Sequence, residues 1–139
     1  MNKTHETNRD GVQTTPQVVL IVDDQVEQAE LVCTILLRQG YEVYGAHTFY
    51  NAVQCVNSVK PDLAVIDIFL DDGRLGAELL VELRCFYPNL IVLFTSGIGE
   101  GKELDAALSY PRTAFIKKPY RIAAFAETVK QTLRKFSRD

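Results

Sequence analysis

Three short, uninterrupted apolar runs dominate the hydrophobic pattern of the chain, at Val18–Val22, Leu63–Ile66 and Leu90–Phe94. Their length and their β-branched residues are typical of strands that are buried on both faces of a parallel sheet. Weaker runs at Glu42–Ala46 and Ala114–Ile116 predict two further short strands. The pattern therefore predicts a sheet of five strands.

The segments between these runs carry apolar residues at helical spacing, and several have recognisable helix ends. The first, Gln25–Gln39, is followed by Gly40, where a left-handed residue commonly ends a helix. The second follows Thr48, whose hydroxyl can cap a helix N-terminus, and it stops before Pro61. The other predicted helices are one that carries Leu75, Leu79, Leu83 and Phe86, a weak one at Lys102–Leu108, and a last one with an apolar stripe from Ile122 to Phe136.

Strands that alternate with helices indicate the α/β class, with a parallel sheet and helices on both of its faces. Five strands in a chain of 139 residues suit a flavodoxin-like (βα)5 doubly wound fold with the strand order 2-1-3-4-5. Residues 1–15 are rich in Thr, Asn, Asp and Gly and are predicted to form a flexible N-terminal tail. The predicted domain therefore spans residues 16–139.

Composition excludes several classes of protein. The net charge of −3 at pH 7 is not the basic excess that duplex binding requires, so we expect no direct DNA binding. No apolar run approaches the roughly 18 residues that span a bilayer, and the N-terminus lacks the apolar stretch of a secretion signal. We therefore expect a cytoplasmic protein without membrane contact. Cys33, Cys55 and Cys85 form no C-x-x-C pair and are expected to pack in the core.

Polar side chains that suit metal or phosphate binding follow the predicted strands. Asp23 and Asp24 follow the first strand, Asp67 the third, Thr95 the fourth and Lys118 the fifth. The first and third strands are neighbours in the predicted order, so the three carboxylates should converge at the carboxyl edge of the sheet, where α/β sheets bind ligands. Two carboxylates about 5 Å apart repel by roughly 3 kcal/mol at an effective dielectric near 20. A bound cation, or a proton held at a raised pKa, must offset this repulsion.

An all-oxygen cluster favours Mg²⁺, or Mn²⁺, over zinc. A nucleophilic carboxylate, a metal and donors for phosphoryl oxygens together suit phosphoryl transfer onto a carboxylate. Asp67 is then the acceptor, Asp23 and Asp24 hold the metal, Lys118 supplies a cation and Thr95 supplies a hydroxyl donor. A structural alternative is that the Asp-Asp pair caps the first helix, with Asp24 as the capping residue. Capping does not account for the polar groups at the other strand ends.

The sequence around these residues resembles the receiver domain of two-component response regulators. The segments that carry the resemblance are Val22–Asp24, Pro61–Asp67, Phe94–Ser96 and Ile116–Tyr120, and the resemblance extends from Gln17 to about Phe136. It implies that Asp67 accepts a phosphoryl group from a histidine of a kinase or of a phosphotransfer protein. It also implies that the domain is a regulatory phosphoacceptor rather than an enzyme with a separate substrate.

The resemblance implies further roles residue by residue. Asp24 would ligate Mg²⁺ directly and Asp23 through water, and Phe69 would offer its backbone carbonyl to the metal beside the acceptor Asp67. The phosphoryl group would be bound by Lys118 and by Thr95 with Ser96 beside it. Phe115 would take the place of the rotating aromatic switch of the family, and the Lys118–Pro119 bond would be cis.

The sequence departs from the family pattern after the acceptor. The segment Leu70–Gly76 is one residue longer and more acidic than is common in the family, and it lacks the usual proline four residues after Asp67. We expect Asp71 and Asp72 to be solvated turn residues rather than metal ligands. Phe69 stands where many members carry a polar side chain.

Two other functions compete with a phosphorylation switch. An aspartyl-phosphate phosphatase uses similar chemistry, but its usual motif places a second Asp where Phe69 stands. A flavin-binding electron carrier needs a phosphate-binding loop rich in Ser and Thr after the first strand, and this chain has none there.

The expected partners are a histidine kinase or histidine phosphotransfer protein on the input side. On the output side we expect a downstream protein or a second copy of the domain. Because the chain stops soon after Phe136, we expect a stand-alone regulator or a phosphorelay intermediate without an attached output domain. A basic run on the last helix is a solvated face, or else it docks an acidic partner or a second copy of the domain. It consists of Lys130, Arg134, Lys135 and Arg138.

Overall fold

Five parallel strands form the central sheet of this computed structural model. The model describes residues 15–137, except for the side chain of Asp72, together with the backbone of residues 6–7 and 13–14. The strands are β1 (Val18–Val22), β2 (Glu42–Ala46), β3 (Leu63–Asp67), β4 (Ile91–Ser96) and β5 (Thr113–Lys117). Their order in the sheet is β2-β1-β3-β4-β5, so the predicted fold class and the predicted order 2-1-3-4-5 are confirmed.

The helices lie between the strands along the chain, as the alternating pattern predicts. They are α1 (Val26–Arg38), α2 (Phe49–Val59), α3 (Gly76–Arg84), α4 (Lys102–Leu108) and α5 (Ile122–Phe136). No helix among the described residues is long and apolar enough to cross a bilayer.

Alternate residues of each inner strand point to opposite faces of the sheet, and this divides the core into two layers. One layer packs Leu20, Ile66 and Phe94 against the buried faces of α2, α3 and α4. The other packs alternate strand residues such as Ile21 and Val65 against α1 and α5. Both faces of β1 are covered, which explains why all its residues are apolar and buried.

Two of the predicted helix ends are present. Gly40 follows α1 with φ +98°, and the N–H groups of Gly40 and Tyr41 donate to the carbonyls of Leu37 and Leu36, which is the Schellman pattern. The hydroxyl of Thr48 accepts from the Asn51 N–H at 3.0 Å and caps α2.

Other sequence expectations are wrong in detail. Asp24 does not cap α1, because the capping position is Gln25, and the Gln25 N–H donates to Asp23 Oδ1 at 2.9 Å. The third helix ends at Arg84, so Phe86 lies beyond it with 46% of its surface exposed. Cys85 is exposed at the end of the same helix, whereas Cys33 and Cys55 pack against the two core layers as expected.

The N-terminal segment contains a short antiparallel pairing of residues 6–7 with residues 13–14. The rest of the predicted tail, residues 1–5 and 8–12, lies outside the described residues, as does Arg138 of the basic run. The division into a tail and a domain stays a prediction.

Candidate functional site

Three carboxylates meet at the carboxyl edge of the sheet. Val22 of β1 pairs with Ile66 of β3, so the residues that follow or end these strands are brought side by side. Asp23, Asp24 and Asp67 each offer a carboxylate oxygen within 4.8 Å of those of the others. Asp23 is buried, Asp67 is half-buried and Asp24 is exposed. The predicted convergence of these residues is therefore present.

A single ammonium group bridges two of these carboxylates. Lys118 follows β5, and its N–H donates to the Ser96 carbonyl at 2.8 Å, which continues the pairing of β5 with β4. Its Nζ donates to Asp23 Oδ2 at 2.9 Å and to Asp67 Oδ2 at 3.1 Å. The Lys118–Pro119 bond is cis, the isomer that the family resemblance implies.

The electrostatics of the cluster oppose full ionisation of Asp67. Burial raises the pKa of the Asp67 carboxyl, and the nearby Asp23 charge adds to the rise, while Lys118 and the Phe69 N–H oppose it without cancelling it. Burial lowers the pKa of Lys118, but hydrogen bonds to Asp23 and Asp67 and their charges outweigh burial, so the pKa of Lys118 is raised. The lysine therefore stays charged. The ionised form of Asp67 is unfavourable in this environment, and a further cation would stabilise it.

The predicted phosphoryl-binding side chains lie on β4 and β5. Thr95 pairs with Asp67 in the β3–β4 register and is buried. The Ser96 hydroxyl accepts from the Ile98 N–H at 3.0 Å, which orders the start of the loop after β4. Phe115 pairs with Phe94 and is half-buried against the core layer beneath α4. Thr95 is thus adjacent to the acceptor, whereas Phe115 lies farther back along its strand.

An open cleft of about 670 Å³ leads to the carboxylates, and Asp24, Asp67, Ser96 and Lys118 contribute to its lining. Phe69 also lines it, with 40% of its surface exposed. The Phe69 N–H approaches Asp67 Oδ1 at 3.4 Å. The cleft gives a partner direct access to the Asp67 carboxylate.

The donor set of the cluster fits a hard divalent cation. Three carboxylates contribute oxygen ligands within a small volume, and the open side of the cleft leaves room for water ligands. Mg²⁺ keeps several waters and is usually bound by one or two carboxylates, which suits the exposure of Asp24. Asp23, Asp24 and Asp67 are therefore the residues that could hold the ion.

The long segment after the acceptor forms a small hairpin. Phe69 and Leu75 form an antiparallel bridge, the Leu70 N–H donates to the Arg74 carbonyl at 2.8 Å, and the Gly76 N–H donates to the Ile68 carbonyl at 2.7 Å. A 3-10 turn at Asp71–Gly73 closes the hairpin. We call residues 68–76 the acceptor hairpin.

The acceptor hairpin rests on the start of α2, which the sequence does not predict. Asp71 Oδ1 accepts from the Phe49 N–H at 3.2 Å, and the Arg74 guanidinium lies 3.7 Å from the centre of the Phe49 ring. Asp71 lies in a turn, as predicted, but it is half-buried and bonded to Phe49 rather than fully solvated. No local signal could reveal the contact, because the bonded residues are 22 positions apart.

Gly76 lies directly behind the acceptor. A Cβ atom at this position would lie 2.5 Å from the Asp67 carbonyl oxygen, 3.1 Å from Ile66 Cγ2 and 3.2 Å from Phe94 Cε1. The backbone oxygen cannot move without moving β3, so only glycine lets α3 begin this close to Asp67.

We expect Gly76→Ala to lower the free energy of unfolding by about 2 kcal/mol, because an added methyl group overpacks a site walled by backbone. Urea unfolding followed by circular dichroism measures this. Gly97→Ala is the matched control, since a Cβ there meets nothing within 4 Å. Equal stability of the two variants would contradict the steric argument.

His47 lies beside the site. It is half-buried, and its Nδ1 lies 3.1 Å from the Asp23 carbonyl oxygen. The contact joins the loop after β2 to the turn that carries Asp23. The other histidine, His5, lies outside the described residues.

Comparison with known proteins gives a consistent match. The family model described as the response regulator receiver domain matches residues 19–130. The regulatory protein VanR of Enterococcus faecium is 31% identical over 122 residues, which are 86% of this chain and 51% of that protein. The nitrogen assimilation regulatory protein NtrX of Azorhizobium caulinodans is 33% identical over 120 residues, which are 84% of this chain and 26% of that protein. The chain thus spans about half of the first relative and about a quarter of the second.

Solved structures agree with the sequence matches. A CheY-like response regulator receiver domain protein from Methanospirillum hungatei JF-1 has a TM-score of 0.82 at 27% identity, over 89% of this chain and 98% of that chain. The receiver domain of NtrX from Brucella abortus has a TM-score of 0.75 at 31% identity, over 84% of this chain and 98% of that chain.

Proposed function

Because this chain belongs to the response regulator receiver domain family, we propose that it is a switch in which Asp67 accepts a phosphoryl group from a phosphohistidine. The observation that carries the proposal is the cluster itself. Asp67 lines an open cleft beside two further carboxylates, and the Lys118 ammonium bonds both Asp67 and Asp23. The family is one of regulatory phosphoacceptor domains, so the reaction modifies the protein itself.

In the proposed transfer, an oxygen of the Asp67 carboxylate forms a bond to phosphorus as the bond from phosphorus to the donor histidine nitrogen breaks. The nitrogen keeps the electron pair, and the donor ring, which carries a proton on its other nitrogen, leaves as neutral imidazole. Asp23, Asp24 and Asp67, with the Phe69 carbonyl as a further ligand, would hold a divalent cation, which would neutralise charge on the phosphoryl oxygens. Mg²⁺ is the proposed ion, and Mn²⁺ is an alternative of the same ligand preference.

Lys118 and Thr95 are proposed to bind the transferred group. The Lys118 ammonium already bonds Asp67 Oδ2, so it can exchange this carboxylate oxygen for a phosphoryl oxygen with a small movement. Thr95 lies beside Asp67 across the β3–β4 pairing, so a rotation of its side chain can bring its hydroxyl to the same group, with Ser96 following in the loop. Phe115, on the neighbouring strand β5, is proposed to rotate when the Thr95 side chain moves toward the phosphoryl group.

The partners follow from this chemistry and remain proposals. The input partner presents a phosphohistidine, on a kinase or on a phosphotransfer protein. The output is a change in binding to a downstream protein or to a second copy of the domain, in the cytoplasm. The expectation that the protein acts as a stand-alone regulator or a phosphorelay intermediate stays a prediction.

Beryllofluoride, which mimics an acyl phosphate, tests the proposal. We expect it to bind the wild type only when Mg²⁺ is present, and to shift the amide resonances of Asp67, Thr95 and Lys118 in NMR spectra. The Asp67→Ala variant should show no such shifts.

The same samples discriminate between the competing functions. Flavin absorbance in the purified protein would favour an electron carrier, and turnover of small phosphate esters would favour a phosphatase. Beryllofluoride shifts that persist in Asp67→Ala would remove Asp67 as the acceptor.

A further inference from the structure

The acceptor hairpin is closed by hydrogen bonds between its own residues. Its strands are joined by the Leu70–Arg74 and Gly76–Ile68 hydrogen bonds, and the Arg74 N–H donates to the Asp71 carbonyl at 3.1 Å within the turn. Gly73 has φ +72°, a left-handed conformation that glycine adopts without strain. A displacement at the tip is therefore transmitted to Phe69 at the base.

The tip of the hairpin makes two contacts with Phe49, the first residue of α2. The Phe49 N–H donates to Asp71, and the face of its ring receives the Arg74 guanidinium. Arg74 Nε also lies 3.7 Å from Glu78 Oε2, so the guanidinium is held between α2 and α3. We call the contacts of Asp71 and Arg74 with Phe49 the Phe49 clasp.

Both the hairpin and the start of α2, which the clasp joins, are connected to the carboxylate cluster by further contacts. On one side, the hairpin base places the Phe69 N–H at Asp67 Oδ1. On the other side, Phe49 begins the helix that follows His47, and His47 contacts the Asp23 carbonyl. The clasp therefore braces the turn carrying Asp23 against the hairpin that follows Asp67.

We propose that Asp71 is a positioning residue, which acts through the Phe49 clasp to fix the Asp67–Phe69 backbone in the geometry that binds the divalent cation. The proposal rests on the proposed function of the same site. Asp71 does not belong to the metal-binding group of carboxylates, so its effect must pass through the hairpin.

Two substitutions of Asp71 distinguish the effect of its hydrogen bond from the effect of its charge. An asparagine carbonyl oxygen can accept the Phe49 N–H as a carboxylate does, so Asp71→Asn removes the charge and keeps the bond. Asp71→Ala removes both. If Asp71 acted only as a nearby negative charge, both variants would weaken Mg²⁺ binding equally.

The experiment is a Mg²⁺ titration of each variant in metal-free buffer, followed by amide NMR shifts, with unfolding temperatures measured in EDTA. We expect Asp71→Ala to raise the Mg²⁺ dissociation constant roughly fivefold, somewhat below the roughly tenfold or greater cost of removing a group that contacts a ligand directly. Asp71→Asn should stay within about twofold of the wild type, since it keeps the acceptor. Arg74→Met, which removes the other half of the clasp, should change affinity in the same direction as Asp71→Ala.

Asp105→Ala is the charge-matched control, because Asp105 is exposed on α4. It should bind Mg²⁺ as the wild type does. A purely structural cap would lower the unfolding temperature of Asp71→Ala and leave its Mg²⁺ affinity unchanged, and that result overturns the proposal. Equal losses in Asp71→Ala and Asp71→Asn overturn it as well.

Failure of the inference is distinguishable from failure of the proposed function. If the wild type binds neither Mg²⁺ nor beryllofluoride, the proposed function itself fails. If the wild type binds both and Asp71→Ala equals it, only the positioning role fails.

Discussion

In the Asp67→Asn variant, phosphotransfer from a phosphohistidine donor is expected to fall more than roughly 100-fold, below detection, because an amide oxygen is a far weaker nucleophile than a carboxylate. The fold should survive the change. Asparagine has the shape of aspartate, and its carbonyl oxygen can still accept from Lys118. Loss of the reaction therefore reports loss of the acceptor rather than loss of structure.

The same variant should be more stable than the wild type at neutral pH without metal. The pKa of Asp67 is raised in the folded protein, so the folded state binds the proton of Asp67 more tightly than the unfolded state does. The stability linked to this group is present below the unfolded pKa and is lost as pH rises through the folded pKa. At pH 7 the ionised Asp67 carboxylate thus lowers the stability of the folded protein, and the neutral asparagine does not.

We therefore expect Asp67→Asn to gain free energy of unfolding relative to the wild type at pH 7 in EDTA, because burial and the Asp23 charge raise the pKa of the Asp67 carboxyl. The gain should shrink as pH falls toward the acidic range, where the wild-type carboxyl becomes protonated. Urea unfolding at several pH values measures it. Asp105→Asn is the control for a change of net charge, and a loss of stability in Asp67→Asn at pH 7 would contradict the electrostatic argument.

The sequence predicts the cluster well because topology alone produces it. Apolar runs such as Val18–Val22 identify buried parallel strands, and strand order then brings Asp23 and Asp67 to one edge. Lys118 is predicted for the same reason, since it follows the last strand of the sheet. Each inference needs only the positions of strand ends, which periodicity gives to within a residue or two.

The acceptor hairpin could not be predicted in the same way. Turn residues such as Asp71 and Gly73 predict that the chain reverses, but not which surface the turn will contact. Two tertiary contacts place the hairpin: the Phe49–Asp71 hydrogen bond joins residues 22 positions apart, and Gly76 lies close to the Asp67 carbonyl. A glycine at the start of a helix does not by itself reveal such a contact.

Phe86 illustrates a different kind of error. Its spacing from Leu79 and Leu83 matches a helix, but α3 ends at Arg84. The Arg84 guanidinium donates to the carbonyls of Leu90 and Pro111. Its side chain therefore binds the loops that precede β4 and β5. The apolar spacing continues past Arg84, where the helix ends.

The second large effect is expected at Lys118. Replacing it with methionine keeps the aliphatic length and removes the cation that bridges Asp23 and Asp67. The lysine side chain is only 13% exposed, and removing one partner of a largely buried ion pair leaves an uncompensated charge. We expect a loss of about 2 kcal/mol in the free energy of unfolding at pH 7 in EDTA, below the usual range for fully buried pairs because the cleft is open to water.

Metal binding should respond in the opposite direction in Lys118→Met. The ammonium binds two of the three carboxylates that could hold a divalent cation, so its removal should strengthen Mg²⁺ binding. Mg²⁺ should then restore more stability to the variant than it adds to the wild type, since a ligand stabilises by RT ln(1 + [L]/Kd). Thermal unfolding across a Mg²⁺ series measures this difference.

Phosphorylation of Lys118→Met should nevertheless be slower, by roughly 100-fold, because the variant lacks a charged donor for the phosphoryl oxygens. The variant thus binds the metal more tightly and reacts more slowly, a combination that general unfolding cannot produce. Lys117→Met is the matched control, because Lys117 is the neighbouring lysine and is exposed to solvent. If the two variants have the same phosphorylation rate and the same response to Mg²⁺, Lys118 does not bind the phosphoryl group, and the bridge between Asp23 and Asp67 is only structural.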